Sequence, residues 1–179
     1  MQSEKTLVIG LGNPILGDDG VGWVVAREVE NCLRKSDNSV EVDCLSLGGL
    51  SLMERLVGYR HVILVDSLNT GQHPQGSVVT FNLEELVDLT HGHTSAAHDV
   101  SLKTALAMGR KLNVILPADK DIHVVAIEAQ HVYDFKEELS PAIAVAMLTA
   151  VQKVFDLLKE MKGIQCLTDC SPSAEICRA

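Results

Sequence analysis

Runs of Val, Ile and Leu alternate along this chain with segments whose apolar residues recur every three or four positions. The strand-like runs fall at 6–11, 40–45, 61–65, 77–81 and 121–127, and the helical patterns at 21–34, 51–57, 98–112 and 141–161. Strand–helix alternation of this kind predicts a three-layer α/β/α domain around a largely parallel sheet. The link at 67–76 is rich in Gly, Pro, Asn and Gln and holds no helical run, which allows the fourth strand to run antiparallel. Ser140-Pro141 predicts the start of the last helix, with serine at the N-cap and proline at the first helical position. That helix then presents Ile143, Met147, Val151, Val154 and Leu158 as a core-facing stripe. Composition changes only after about Gly163. The expected organisation is therefore one domain, 1–163, followed by a polar, partly disordered tail, 164–179.

The bulk numbers narrow the class. With 179 residues, 46% of them apolar, the chain can bury one full core. A formal charge of −9, without a cluster of Lys and Arg, argues against a nucleic-acid partner. Residues 1–5 are polar and lead directly into the first strand, unlike a signal peptide, and no apolar run reaches the roughly 18–20 residues of a membrane helix. A cytoplasmic protein with no membrane partner is expected. Five cysteines, an odd number, argue against a disulfide framework. Cys32 and Cys44 are expected to be inert core thiols, and Cys166, Cys170 and Cys177 lack the CxxC spacing of a metal site.

The most informative segment is the turn from Gly10 to Gly20, GLGNPILGDDG, between the first strand and the first helix. Glycine-rich turns in that position usually cradle a phosphate on backbone N–H groups at the helix start. Here the turn carries Asp18 and Asp19, which repel phosphate and suit a cation or acid–base work. Gly12 to Gly17 imitates a P-loop's spacing, but two acids stand where Lys-Ser/Thr belongs. In open α/β sheets, ligands bind beyond the carboxyl ends of the strands. Asp66 closes the run from His61 to Val65 at such an end, and His91, His93 and His98 precede or open the third helix. Two carboxylates and one imidazole with open positions describe an exchangeable site for zinc or nickel. Plainer roles exist for each: an N-cap for Asp18 or Asp19, a turn bond for Asp66, solvation for a loop histidine.

With those residues in view, the chain resembles the hydrogenase maturation endopeptidases, over about Thr6 to Lys159. The likeness is carried by GLGNPILGDDGVG, by VDSLNTGQHPQGSV, by TSAAHDVSL and by AIEAQ followed by ELSPAI. It implies a twisted five-stranded sheet with one antiparallel strand. It also implies removal of the C-terminal extension from the large-subunit precursor of nickel–iron hydrogenases, after a His or Arg and only once nickel is loaded. The family's metal-contacting residues fall on Asp19, Asp66 and His98, which would serve as both catalytic and metal residues. No permanently bound metal is implied, because Ni2+ arrives with the substrate, and the protein is expected to act as a monomer. The loop Leu47-Gly48-Gly49-Leu50-Ser51-Leu52 departs from the Gly-Gly-Thr-x-Gly pattern of many relatives, a difference that bears on substrate choice.

Two rivals are weaker and one is closer. GLGNP also opens the peptidyl-tRNA hydrolases, but those continue with Thr-Arg-His-Asn and carry a basic face. A dinucleotide module would want an acid ending the second strand, where Asp43 is a poor match. A non-proteolytic binder that checks the precursor's metal shares every residue of the triad. From the sequence, Asp19, Asp66 and His98 should meet in one crevice, within about 10 Å of one another given metal–ligand bonds near 2 Å. Asp18 should support the turn or first helix, and His91 and His93 should be dispensable.

Overall fold

A computed structural model describes residues 3–33, 39–86, 97–130 and 135–162, with backbone alone for 3–4 and 97–101. The elements follow in the order β1 (Ser3–Leu11), α1 (Val21–Cys32), β2 (Val40–Leu45), α2 (Gly49–Arg55), β3 (Tyr59–Leu68), β4 (Val78–Asn82), α3 (Ala97–Lys111), β5 (Ile122–Glu128) and α4 (Pro141–Lys162). The strands form one five-stranded sheet in the order β2-β1-β3-β5-β4. β1, β2, β3 and β5 run parallel, and β4 pairs antiparallel with β5, Val78 opposite Ile127. This is the mixed sheet the sequence suggested, and its antiparallel strand follows the helix-free link.

Alternation along the strands sorts the core into two halves. Val8, Ile63, Val65, Val125 and Ile127 pack with Val21, Val25 and Val29 of α1 and Ile143, Met147 and Val154 of α4. Leu7, Ile9, Val62, Leu64, Leu68 and Val124 pack with Leu52 and Met53 of α2 and Leu102 and Leu106 of α3. Helices thus cover both faces, as a mostly parallel sheet requires. α1 lies unusually close to the sheet because Gly22 has no side chain: a Cβ there would collide with the carbonyl oxygens of Leu11 and Val65.

Three expectations need correction. β3 continues three residues past 65, so Asp66 lies among its last three residues, opposite Ala126, rather than closing the strand. Polar Asp66 and Ser67 interrupt the apolar run, but ladder hydrogen bonds need only backbone. α4 is long and apolar enough to cross a bilayer by length and composition, contrary to the reading that no segment is. Nine of its residues are buried, so much of that hydropathy belongs to the core. Finally, Cys32 is disulfide-bonded rather than an inert thiol. Only Cys44 is a free cysteine among the described residues, and burial raises its thiol pKa. The tail, 164–179, lies outside the described residues.

Candidate active site

The carboxyl edge of the sheet is organised by the turn after β1. Gly12 adopts φ +118, and a Cβ there would run into the carbonyl oxygen of Asp19, so the turn closes tightly only around glycine. Gly17–Gly20 then forms a single 3₁₀ turn leading into α1. Asp19 folds back over the end of β1. Its Oδ2 accepts the Asn13 N–H at 2.7 Å, and its Oδ1 accepts the Ser67 hydroxyl at 3.1 Å. Ser67 is the neighbour of Asp66, whose Oδ1 accepts the Ser67 N–H at 2.8 Å. Ser67 thus donates one hydrogen bond to the turn's second acid and one to the β3 acid. A carboxylate has about four acceptor positions, so the two bonds to Asp19 leave capacity for a cation.

Neither the 3₁₀ turn nor α1 has a side-chain cap, so neither acid of the motif caps the first helix. Asp18 supports the turn, as expected, rather than the first helix. It is fully buried, and its Oδ1 accepts the Ser140 N–H at 2.6 Å while Oδ2 accepts the Ser140 hydroxyl at 2.9 Å. Gln75 Nε2 completes the cluster, 3.1 Å from Ser140 Oγ and 3.5 Å from Asp18 Oδ2. Asp18 thus ties the glycine turn to the start of α4, whose first turn begins at Pro141 as the sequence indicated.

His98 lies in the first turn of α3, and its side chain is outside the described residues, as are His91 and His93 entirely. The direction of α3 is defined. Its far end packs at Gly109 against Met53 and Leu116, and the Gly58 N–H donates to Ile115 O just before β3 begins. A helix of 15 residues spans about 22 Å at 1.5 Å per residue, so its start points toward the carboxyl edge. Among the described residues no three His, Cys, Asp or Glu side chains gather into a metal-binding group. What those residues supply is the carboxylate pair.

Two supporting residues escaped the sequence reading. Ser67 carried no signal beyond its adjacency to Asp66. Glu128, at the end of β5, is 2% exposed and accepts the N–H groups of Thr70 and Gly71 and the Thr70 hydroxyl, at 2.7–2.8 Å. It holds the loop that follows β3. Around this edge, Ser46 donates to Gly12 O at 2.7 Å and the Gly17 N–H donates to Lys136 O at 2.6 Å, so the flanking loops are bound to the glycine turn. Ile15 of the turn, Leu47, Leu50 at the start of α2 and Phe135 are exposed, the last 86%. A groove of about 670 Å³ lined by Thr80, Lys153, Asp156, Leu157, Lys159 and Glu160 contains none of these residues.

The chain is similar to known proteins over most of its length. The family model described as hydrogenase maturation protease matches residues 24–157. A Methanocaldococcus jannaschii protein assigned as a hydrogenase maturation protease is 26% identical over 159 residues, covering 88% of this chain and 96% of its own. Among solved structures, the hydrogenase maturating endopeptidase HybD from Escherichia coli superposes with a TM-score of 0.71 at 22% identity, covering 88% of this chain and 94% of that one. HybD from Thermococcus kodakarensis, a nickel–iron hydrogenase maturation protease, gives a TM-score of 0.63 at 24% identity over 86% and 98%. At such identities, the two structures share the fold with this chain.

Proposed function

Because the chain belongs to the hydrogenase maturation protease family, we propose that it is an endopeptidase that removes the C-terminal extension of a nickel–iron hydrogenase large-subunit precursor after nickel insertion. The observation that supports this reading is that Asp19 and Asp66 both accept hydrogen bonds from one residue, Ser67, near the ligand-binding edge of the sheet. In this reading Asp19, Asp66 and His98 contact the nickel that the precursor brings. Two oxygens and one imidazole nitrogen suit that borderline ion but lack thiolates, so the precursor's cysteines supply the rest of its shell. Nickel then acts as a checkpoint: an unloaded precursor offers no bridge, and its peptide is never held in position for cleavage. The exposed Ile15, Leu47, Leu50 and Phe135 give an extended peptide apolar surface to lie on.

The same reading makes the protein a cytoplasmic monomer with no resident metal, no nucleic-acid partner and no membrane partner. The test mixes the purified chain with nickel-loaded and with metal-free precursor and weighs the products by mass spectrometry. Cleavage of the loaded form alone, by protein treated with chelator beforehand, is the expected result. Binding of the loaded precursor without cleavage would make the chain a metal-checking binder instead. Activity restored by zinc against metal-free precursor would make it an ordinary metalloprotease.

A further inference from the structure

We infer that Ser67 is a positioning residue that sets the orientation of both carboxylates toward the precursor's nickel, an inference that rests on the function proposed above. Ser67 is 5% exposed and sends one donor to each acid: its N–H to Asp66 Oδ1 at 2.8 Å and its hydroxyl to Asp19 Oδ1 at 3.1 Å. The arrangement follows from the pleat. Leu64 and Leu68 pack with α2 and α3, whereas Ile63 and Val65 pack with α1 and α4. Asp66 therefore belongs to the α2/α3 face, which also carries the start of α3 and His98, and Ser67 belongs to the face of α1. Asp19, on the turn that enters α1, meets Ser67 on that face. The two acids thus approach the edge from opposite sides of the sheet, with the Ser67 peptide and hydroxyl bridging them.

The chemistry calls for such a bridge. Two carboxylates that share one hydrogen-bonding residue repel each other until a cation arrives, and a hydrogen-bond donor on each offsets that repulsion. The bridge also fixes geometry. Asp19 is gripped at both oxygens, by the Asn13 N–H and by Ser67, so its plane is set before the substrate docks. Contacts of this outer kind orient ligating groups, and their loss commonly costs about 10–100-fold in metal affinity. Alanine at 67 would remove the hydroxyl and leave the backbone bond to Asp66. Threonine would retain the hydroxyl and suits a strand.

The experiment uses the full chain as wild type, Ser67→Ala, Ser67→Thr and Asp19→Asn. Ni2+ alone is titrated by calorimetry at concentrations that register a weak site, the affinity for nickel-loaded precursor is measured alongside, and thermal unfolding checks the fold. Ser67→Ala should weaken both affinities by about 10–100-fold with the fold intact, and Ser67→Thr should restore most of the loss. Wild-type affinities in folded Ser67→Ala, with Asp19→Asn impaired, would overturn the role of Ser67 and leave the proposed site standing. Equal loss in the alanine and threonine variants would likewise overturn it. If Asp19→Asn binds Ni2+ and loaded precursor as the wild type does, the site reading itself fails, and the role of Ser67 with it.

Discussion

Asp18 and Ser140, 122 positions apart, are joined by two hydrogen bonds that close the glycine turn against the start of α4. The buried carboxylate also faces the positive end of that 22-residue helix, where the dipole and the free N–H groups favour negative charge. Adjacent acids of one motif therefore divide their work. Asp18 faces inward and holds the scaffold, while Asp19 reaches Ser67, the neighbour of Asp66.

That division predicts different consequences for the same substitution. Asp18→Asn should lower stability by about 1–3 kcal/mol in urea unfolding, because a buried charge-assisted acceptor is lost. Paired with Ser140→Ala in a double-mutant cycle, it should show coupling of about 0.5–3 kcal/mol. Asp19→Asn should leave the unfolding midpoint nearly unchanged and abolish processing of nickel-loaded precursor. Strict additivity of the Asp18 and Ser140 variants would show that their contact does not couple them.

The approach of α1 to the sheet gives a second prediction. Gly22→Ala places a methyl group against the backbone of both β1 and β3. Neither strand can move without disturbing its ladder, so overpacking should cost about 1–3 kcal/mol, or more. Thermal unfolding compared with Gly58→Ala separates collision from backbone strain. A Cβ at Gly58 meets nothing within 4 Å, although its φ of +86 still penalises a side chain.

Glu128 offers a dynamic readout. Glu128→Gln replaces an acceptor-only side chain with one carrying two donors, opposite two N–H groups and a hydroxyl that all donate to it. Amide exchange should accelerate first at Thr70 and Gly71, while exchange within β3 stays slow. Unchanged protection at those two amides would show that the carboxylate does not hold the loop.

Acid should destabilise the fold through two imidazoles at the other end of the sheet. Burial lowers the pKa values of His61 and His123, with Asp121 acting in the opposite direction on each. The unfolded chain, with imidazole near about 6.5, then binds more protons than the native state as pH falls through that value. The contribution is fully present above about pH 6.5 and is lost as pH drops through the lowered native-state value. His123→Gln should flatten the fall in stability below about pH 6.5, measured by urea unfolding across pH. An unchanged slope would assign the acid loss to carboxylates.

The choice of imidazole is checked directly. His98→Ala should abolish processing, whereas His91→Ala and His93→Ala should retain it. Loss with His93→Ala and retention with His98→Ala would identify the other histidine as the contact to nickel.

The sequence by itself determined the layers, the strand-to-helix order and the antiparallel fourth strand. Burial imposes a period on each element, and the helix-free link after β3 leaves room for a hairpin-like return but not for a crossover helix. It also marked Asp18, Asp19 and Asp66 as candidates, since ligands bind beyond the carboxyl ends of parallel strands, and the family resemblance singled out Asp19 and Asp66 among them. Only the tertiary structure decided what steadies them. Ser67 meets Asp19 across 48 positions, Glu128 meets Thr70 across 58, and Ser140 meets Asp18 across 122. No local pattern encodes those pairs. They arise where loops from separate strands converge at one sheet edge, and the side-chain directions there follow from the packing of α1 and α4 rather than from any periodicity in the chain.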